Sequence, residues 1–369
     1  MMTRFCIIGL TSLLFFILIG CSTDSMDNDS AEGGLVTEQE EIYFPPINSD
    51  VWETVSLESL GWNETAIQSL YTFLEENSTD AFLILKNGRI VEEKYFGDFD
   101  STKNHTWNSA AKTLTSLTVG IAQEEGFLSV DNPSSDYMGS GWSSLTSENE
   151  LKITVRHHLT MTTGLDYTVD NNFCTAPECL VYKNDPGSFW YYHNALYTLL
   201  DNIVSGAVRQ DFETYFNSKI RDKIGMQGSW LKVGYNNLYF STARSMARFG
   251  LLNLNKGKWE EETILADMDY FTTMTSSSQE LNKSYGYLWW LNGKDSFRLP
   301  ESEENYQGKL IPAAPDDLIA GLGAADQKLY IVPSIDLVIV RMGGAANSAE
   351  LGPTSFDNAL WEKINAVIN

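Results

Sequence analysis

The chain has 369 residues, 43% of them hydrophobic and 12% aromatic, with ten tryptophans. That is enough to bury a large core, and it excludes a disordered chain or a small disulfide-stapled scaffold. A formal charge of -24 and a pI near 4.4, with no offsetting basic stripe, exclude nucleic acid as a partner.

The first twenty residues hold one early cation, Arg4, and a mostly apolar run from Phe5 to Ile19. The run is short and wrongly flanked for a membrane span and reads as an export signal. Its end, Leu18-Ile19-Gly20-Cys21, resembles the bacterial lipoprotein cleavage box, in which the cysteine becomes the lipidated first residue. The resemblance implies removal of residues 1–20 and a lipid anchor at Cys21 in a bacterial membrane. The protein is then expected in the cell envelope, facing the periplasm or at the cell surface. Residues 21–44 follow as an acidic, flexible tether, with Asp24, Asp27, Asp29, Glu32, Glu38, Glu40 and Glu41 and no Lys or Arg between Ser22 and Glu41. Residues 45–369 are the expected folded domain.

Asn63 can cap a helix whose stripe is Ala66, Ile67, Leu70 and Leu74. Two strands, Ala81–Leu85 and Arg89–Phe96, flank Lys86-Asn87-Gly88, and Asn-Gly is a strong hairpin signal. From Ser109 the stripe Ala110, Leu114, Leu117, Ile121 and Ala122 predicts a buried helix closed by Gly126. Residues 151–226 read as mostly helical, broken at Thr163-Gly164, the cysteine loop and Asp185-Pro186-Gly187. Ser241 is placed to cap a helix through Met246, Gly250 and Leu254. Strands are expected again at Tyr285–Leu291, Lys328–Val332 and Leu337–Met342, and Phe356, Leu360, Ile364 and Val367 form a closing helical stripe. The order predicts an α+β fold: an antiparallel sheet covered by terminal helices, beside a helical lobe at roughly 109–240.

Of four cysteines, Cys6 falls in the signal and Cys21 is the proposed anchor, leaving Cys174 and Cys179 in an oxidising setting. A disulfide across that short loop would contribute about 2 kcal/mol. A metal pair is the rival reading, although no His or further Cys lies within a few residues. No metal site and no cofactor is expected.

The chemistry centres on Ser109-Ala110-Ala111-Lys112, where a hydroxyl and an amine three residues apart share one helix face. A serine needs a group to take its proton, and a desolvated lysine can do so. The spacing also occurs at Ser229-Trp230-Leu231-Lys232, but that copy follows Gly225 and Gly228 and reads as turn or strand. Taken alone, Ser109 is an N-cap and Lys112 a solvated first-turn residue. The four histidines, His105, His157, His158 and His193, suggest a Ser-His-Asp triad, yet no Gly-x-Ser-x-Gly elbow is present. Trp289-Trp290 reads as core.

Ser-x-x-Lys at a helix start in an exported chain resembles the serine β-lactamase and penicillin-binding-protein superfamily. Its second motif, Tyr-x-Asn, has four matches here, starting at Tyr182, Tyr192, Tyr215 and Tyr235. Only Tyr192-His193-Asn194 follows a Pro-Gly and aromatic stretch like the family's, Pro186 to Tyr191. In the place of the third motif stands Gly321-Leu322-Gly323, ahead of Gln327–Arg341, which resembles the family's closing hairpin. The nearest look is to class C β-lactamase-like esterases and 6-aminohexanoate-oligomer hydrolases.

The resemblance implies a β-lactamase/transpeptidase-like fold with the site between sheet and helical lobe. It assigns Ser109 as nucleophile, Lys112 as the amine sharing its proton and Tyr192 as base and later acid. Asn194 would orient the substrate, with the backbone N–H groups of Ser109 and Ala324, beside Gly323, holding the oxyanion. The expected function is hydrolysis of a small-molecule ester or amide through an acyl-enzyme. Because Gly321 offers no cation for a substrate carboxylate, β-lactamase activity is expected to be weak, although Arg341 could reach that position from elsewhere in the fold. The alternatives are a peptidoglycan DD-peptidase or β-lactamase, and a non-catalytic binding or sensor domain.

Overall fold

The computed structural model describes residues 41–346, 353 and 355–369; the signal and Cys21 lie outside them. Asn63 caps α1 (Glu64–Glu76), its side chain accepting from the Thr65 N–H. Strands β1 (Thr79–Lys86) and β2 (Arg89–Tyr95) turn at Asn87 and Gly88, both with positive φ, as a two-residue hairpin loop requires. A 3₁₀ turn, Asn108–Ala111, runs into α2 (Lys112–Glu124), which stops before Gly126 at φ 75°. Helix α3 spans Asn194–Val208. The hairpin β3 (Ser229–Val233) and β4 (Asn236–Ser241) precedes α4 (Ala243–Leu254). The chain closes with β5 (Trp290–Leu291), β6 (Ile319–Gly323), β7 (Gln327–Val332), β8 (Leu337–Gly343) and α5 (Ser355–Ile368).

The main sheet is antiparallel throughout, in the order β2-β1-β8-β7-β6-β5. Every residue of β7 and β8 is buried, because helices cover both faces. Strand alternation divides the contacts. Lys328 and Tyr330 of β7 face α5, where both bond to Asp357. On the other face α4 approaches so closely that a Cβ at Gly250 would sit 2.5 Å from a Val338 methyl. Helices α1 and α5, from opposite ends of the chain, pack together through stacked Phe73 and Phe356.

Three local expectations are corrected. The run Tyr285–Leu291 is not one strand: Leu288 has φ 62° and the Gly286 N–H bonds back to the Trp289 carbonyl, so only Trp290–Leu291 joins the sheet. Apolar composition cannot report such a turn. The cap of α4 is Thr242, not Ser241. Thr242 accepts from the Ser245 N–H, while the Ser241 hydroxyl accepts from the Trp107 indole at 2.7 Å. Finally, residues 160–193 are mostly loop rather than helix. Turns at Gly164 and Gly187, both at positive φ, and the disulfide between Cys174 and Cys179 shape that segment instead.

Candidate active site

The approach to Ser109 is fastened before the serine is reached. His105–Thr106 pairs with the end of β4, the Trp107 N–H bonds to the Tyr239 carbonyl, and the Trp107 indole is buried against Tyr239 and Phe249. Asn108 then adopts φ 47°, a left-handed conformation that asparagine tolerates better than most residues. Ser109 follows in the 3₁₀ turn and Lys112 opens α2, so the local helix brings hydroxyl and amine together. Ser109 Oγ lies 2.7 Å from Lys112 Nζ.

Lys112 is 1% exposed. Burial drives its amine well below the ordinary lysine range, towards the neutral form. Its Nζ also lies 3.2 Å from Asn194 Oδ1, 4.9 Å from the Tyr192 ring centre and 3.8 Å from that of Tyr197. Asn194 and Tyr197 stand on the first turn of α3, and Tyr192 lies two residues before it. Burial raises the Tyr192 phenol, and a hydrogen bond with Ser109 opposes that shift. The Tyr192 ring stacks on Trp290 at 5.9 Å.

Strand β6 closes the other side. A Cβ at Gly323 would come within 2.3 Å of the Trp107 carbonyl oxygen, so only glycine lets the strand lie against the serine turn. Gly323 is the last residue paired with β7, and Ala324 leaves the ladder beside Ser109. A cavity of about 210 Å³ opens over these residues, with Phe173, Leu238 and Pro300 in its wall and no charged side chain among its described lining residues. A larger cavity of about 410 Å³ lies beside Arg244 and Arg248. Among the described residues no lysine or histidine lines it, and both arginines are engaged, Arg244 by Glu93 and Arg248 by backbone carbonyls. Chemistry therefore points to the smaller cavity.

The structure brings together Ser109, Lys112, Tyr192, Asn194 and Ala324, with Gly323 beneath them. The second Ser-x-x-Lys copy lies on β3, where residues alternate faces. Among the described residues no histidine lines the cavity. His157 joins a capping box, and burial pushes His158 and His193 down to about 4. Arg341 does not reach the cleft: its guanidinium donates to Thr79 and to the carbonyls of Asn77, Ala325, Asp326 and Gly344. Sequence reasoning missed Tyr197, Phe173 and Asn108. Tyr197 had a usable signal, since it follows Asn194 by three residues on one helix face.

A serine hydroxyl against a buried amine, at the foot of a cleft between an antiparallel sheet and helices, defines a serine hydrolase of the β-lactamase/transpeptidase-like fold. The chain belongs to the beta-lactamase family, whose model matches residues 73–358. A 6-aminohexanoate-dimer hydrolase from Paenarthrobacter ureafaciens is 32% identical over 74 residues, 20% of this chain and 19% of that protein. The match thus spans about a fifth of that relative's length. Among solved structures, a Bacillus anthracis protein provisionally assigned as a 6-aminohexanoate-dimer hydrolase has a TM-score of 0.64 at 20% identity, covering 88% of each chain. EstCE1, described as a hydrolase with promiscuous acyltransferase activity, has a TM-score of 0.60 at 14% identity, covering 85% of this chain and 99% of its own. At such identities the structural likeness speaks for the fold alone.

Proposed function

We propose that the protein is an exported, lipid-anchored hydrolase that cleaves a small neutral ester or amide through an acyl-enzyme on Ser109. The observation that carries this reading is the 2.7 Å approach of Ser109 Oγ to the buried Lys112 amine beneath an uncharged cavity. Neutral Lys112 takes the hydroxyl proton as Oγ attacks the substrate carbonyl. The backbone N–H groups of Ser109 and Ala324 hold the oxyanion, and Tyr192 passes a proton to the leaving group. Water then releases the acyl group by the reverse path. The directions of the shifts favour Lys112 as first proton acceptor, because burial keeps the Tyr192 phenol protonated. Asn194, within reach of Lys112 Nζ, orients both amine and substrate.

A pure binding domain has no use for a lysine desolvated against a serine, and a DD-peptidase needs a cation for the peptide carboxylate that the described lining of this cavity lacks. Export and lipidation at Cys21 rest on the sequence of the first 21 residues. The test is intact mass after treatment with a fluorophosphonate. One adduct per chain, lost in Ser109→Ala, supports the reading, and labelling that persists in Ser109→Ala refutes it.

A further inference from the structure

We infer that Asn108 is a positioning residue that holds the two oxyanion amides in register, an inference that rests on the acyl-enzyme reading above. The turn joining β6 to β7 is built from residues 324–326, and both Ala325 and Asp326 sit at positive φ, 54° and 56°. Neither is glycine, so this conformation persists only because surrounding groups hold it. Each of its carbonyls accepts from a side chain. Asn108 Nδ2 donates to the Ala324 oxygen at 2.7 Å, Gln327 Nε2 to that of Ala325 at 2.7 Å, and Arg341 Nη1 to that of Asp326 at 2.9 Å.

Gln327 and Arg341 belong to β7 and β8 and fix the turn to its own sheet. Asn108 comes from the residue before the nucleophile and ties the turn to the serine. Its amide is oriented in turn: Thr106 Oγ1 donates to Asn108 Oδ1 at 3.0 Å and accepts from the Asn108 N–H at 3.1 Å. That leaves Nδ2 facing Ala324. The link therefore spans the two segments whose N–H groups must converge on one oxygen, and a small misplacement of either amide weakens both.

Two variants separate positioning from folding. Asn108→Gly removes the link while suiting the left-handed backbone. Asn108→Asp keeps the shape but sets a carboxylate oxygen against the Ala324 carbonyl. The measurements are kcat and KM for a short-chain nitrophenyl ester, the inhibition constant of a phenylboronic acid, and Tm. Asn108→Gly is expected to lower kcat about tenfold or more with KM little changed, to weaken the boronate in proportion, and to leave Tm close to the parent. Asn108→Asp is expected to lose more. The inference is overturned if both variants keep the parent kcat, if KM alone rises, or if boronate affinity is unchanged while kcat falls. If the unmodified protein takes no fluorophosphonate, the acyl-enzyme reading fails first and this one with it.

Discussion

The Lys112 amine lies 3.8 Å from the centre of the Tyr197 ring, so a residue one turn into α3 faces the nitrogen proposed to activate Ser109. An aromatic face favours the cationic form, whereas burial favours the neutral one, and burial wins. In the proposed mechanism the neutral amine takes the Ser109 proton, so acylation should rise with pH through the depressed Lys112 pKa. It should then stay level to alkaline pH, since the Tyr192 phenol is raised. Tyr197→Leu removes the ring and should move the acid limb to lower pH, while Tyr197→Phe should leave it in place. Lys112→Arg, permanently charged, should cut acylation by about two to four orders of magnitude. A pH profile of kcat/KM checks all three, and an acid limb that ignores Tyr197→Leu argues against the assignment.

Gly323→Ala should damage activity and stability together. Its new methyl would meet the Trp107 carbonyl, which is backbone and cannot swing aside. Overpacking of this kind costs about 1–3 kcal/mol. Thermal unfolding and ester turnover measure the two effects, and a fully active variant would show that β6 has more room than the geometry allows.

Asp201, one turn beyond Tyr197 on α3, accepts from Asn237 Nδ2 at 2.8 Å, but its Oδ1 has no hydrogen-bond partner among the described residues. Burial pushes its carboxyl up to about 7. The folded protein thus binds this proton more tightly than the unfolded chain. Stability is lost as pH rises from about 4 to about 7 and the penalty stays constant above that. Asp201→Asn should remove a penalty of about 2–4 kcal/mol at pH 8 and a smaller one at pH 5. Denaturant titrations at those two pH values are the check. An equal effect at both would mean that Asp201 ionises normally.

The disulfide should act on substrate binding. Phe173, which lines the cavity, directly precedes Cys174, and the neighbouring Asn172 carbonyl accepts from the Ala195 N–H at the start of α3. Replacing both cysteines by serine should cost about 2 kcal/mol locally and raise KM with little change in kcat. A kcat loss at unchanged KM would contradict a role confined to the cavity wall.

Substrates without a carboxylate should be preferred. A Cβ at Gly321 would lie 3.2 Å from the Thr113 methyl, so Thr113 already fills the space where a third-motif side chain would start. With Arg341 committed to carbonyls, the described cavity wall supplies no cation. A missing charge-assisted hydrogen bond weakens carboxylate-bearing substrates by roughly ten- to a hundredfold. A short-chain nitrophenyl ester should therefore exceed a chromogenic cephalosporin in kcat/KM, and the opposite order would remove the argument from Gly321.

By itself the sequence determined what depends on near neighbours in the chain. The Ser109–Lys112 approach follows from helical spacing, the β1–β2 hairpin from Asn87-Gly88, and the closing strands from the apolar runs 329–332 and 337–340 on either side of Pro333-Ser334. For Cys174 and Cys179 the sequence favoured a disulfide, with no His or further Cys nearby to complete a metal site, and the structure joins the two sulfurs. Flanking residues singled out Tyr192 among the four Tyr-x-Asn matches, but only tertiary structure could place its ring beside the Lys112 amine. Tyr182 and Tyr235 are exposed, and Tyr215 bonds to Glu125, whereas Tyr192 is buried between Trp290 and the Lys112 amine. It also decided that Arg341 braces a turn instead of entering the cleft, and that Asn108 meets a carbonyl 216 residues away. Such choices depend on which distant segments share a buried space, and residue type and spacing along the chain carry no measure of that distance.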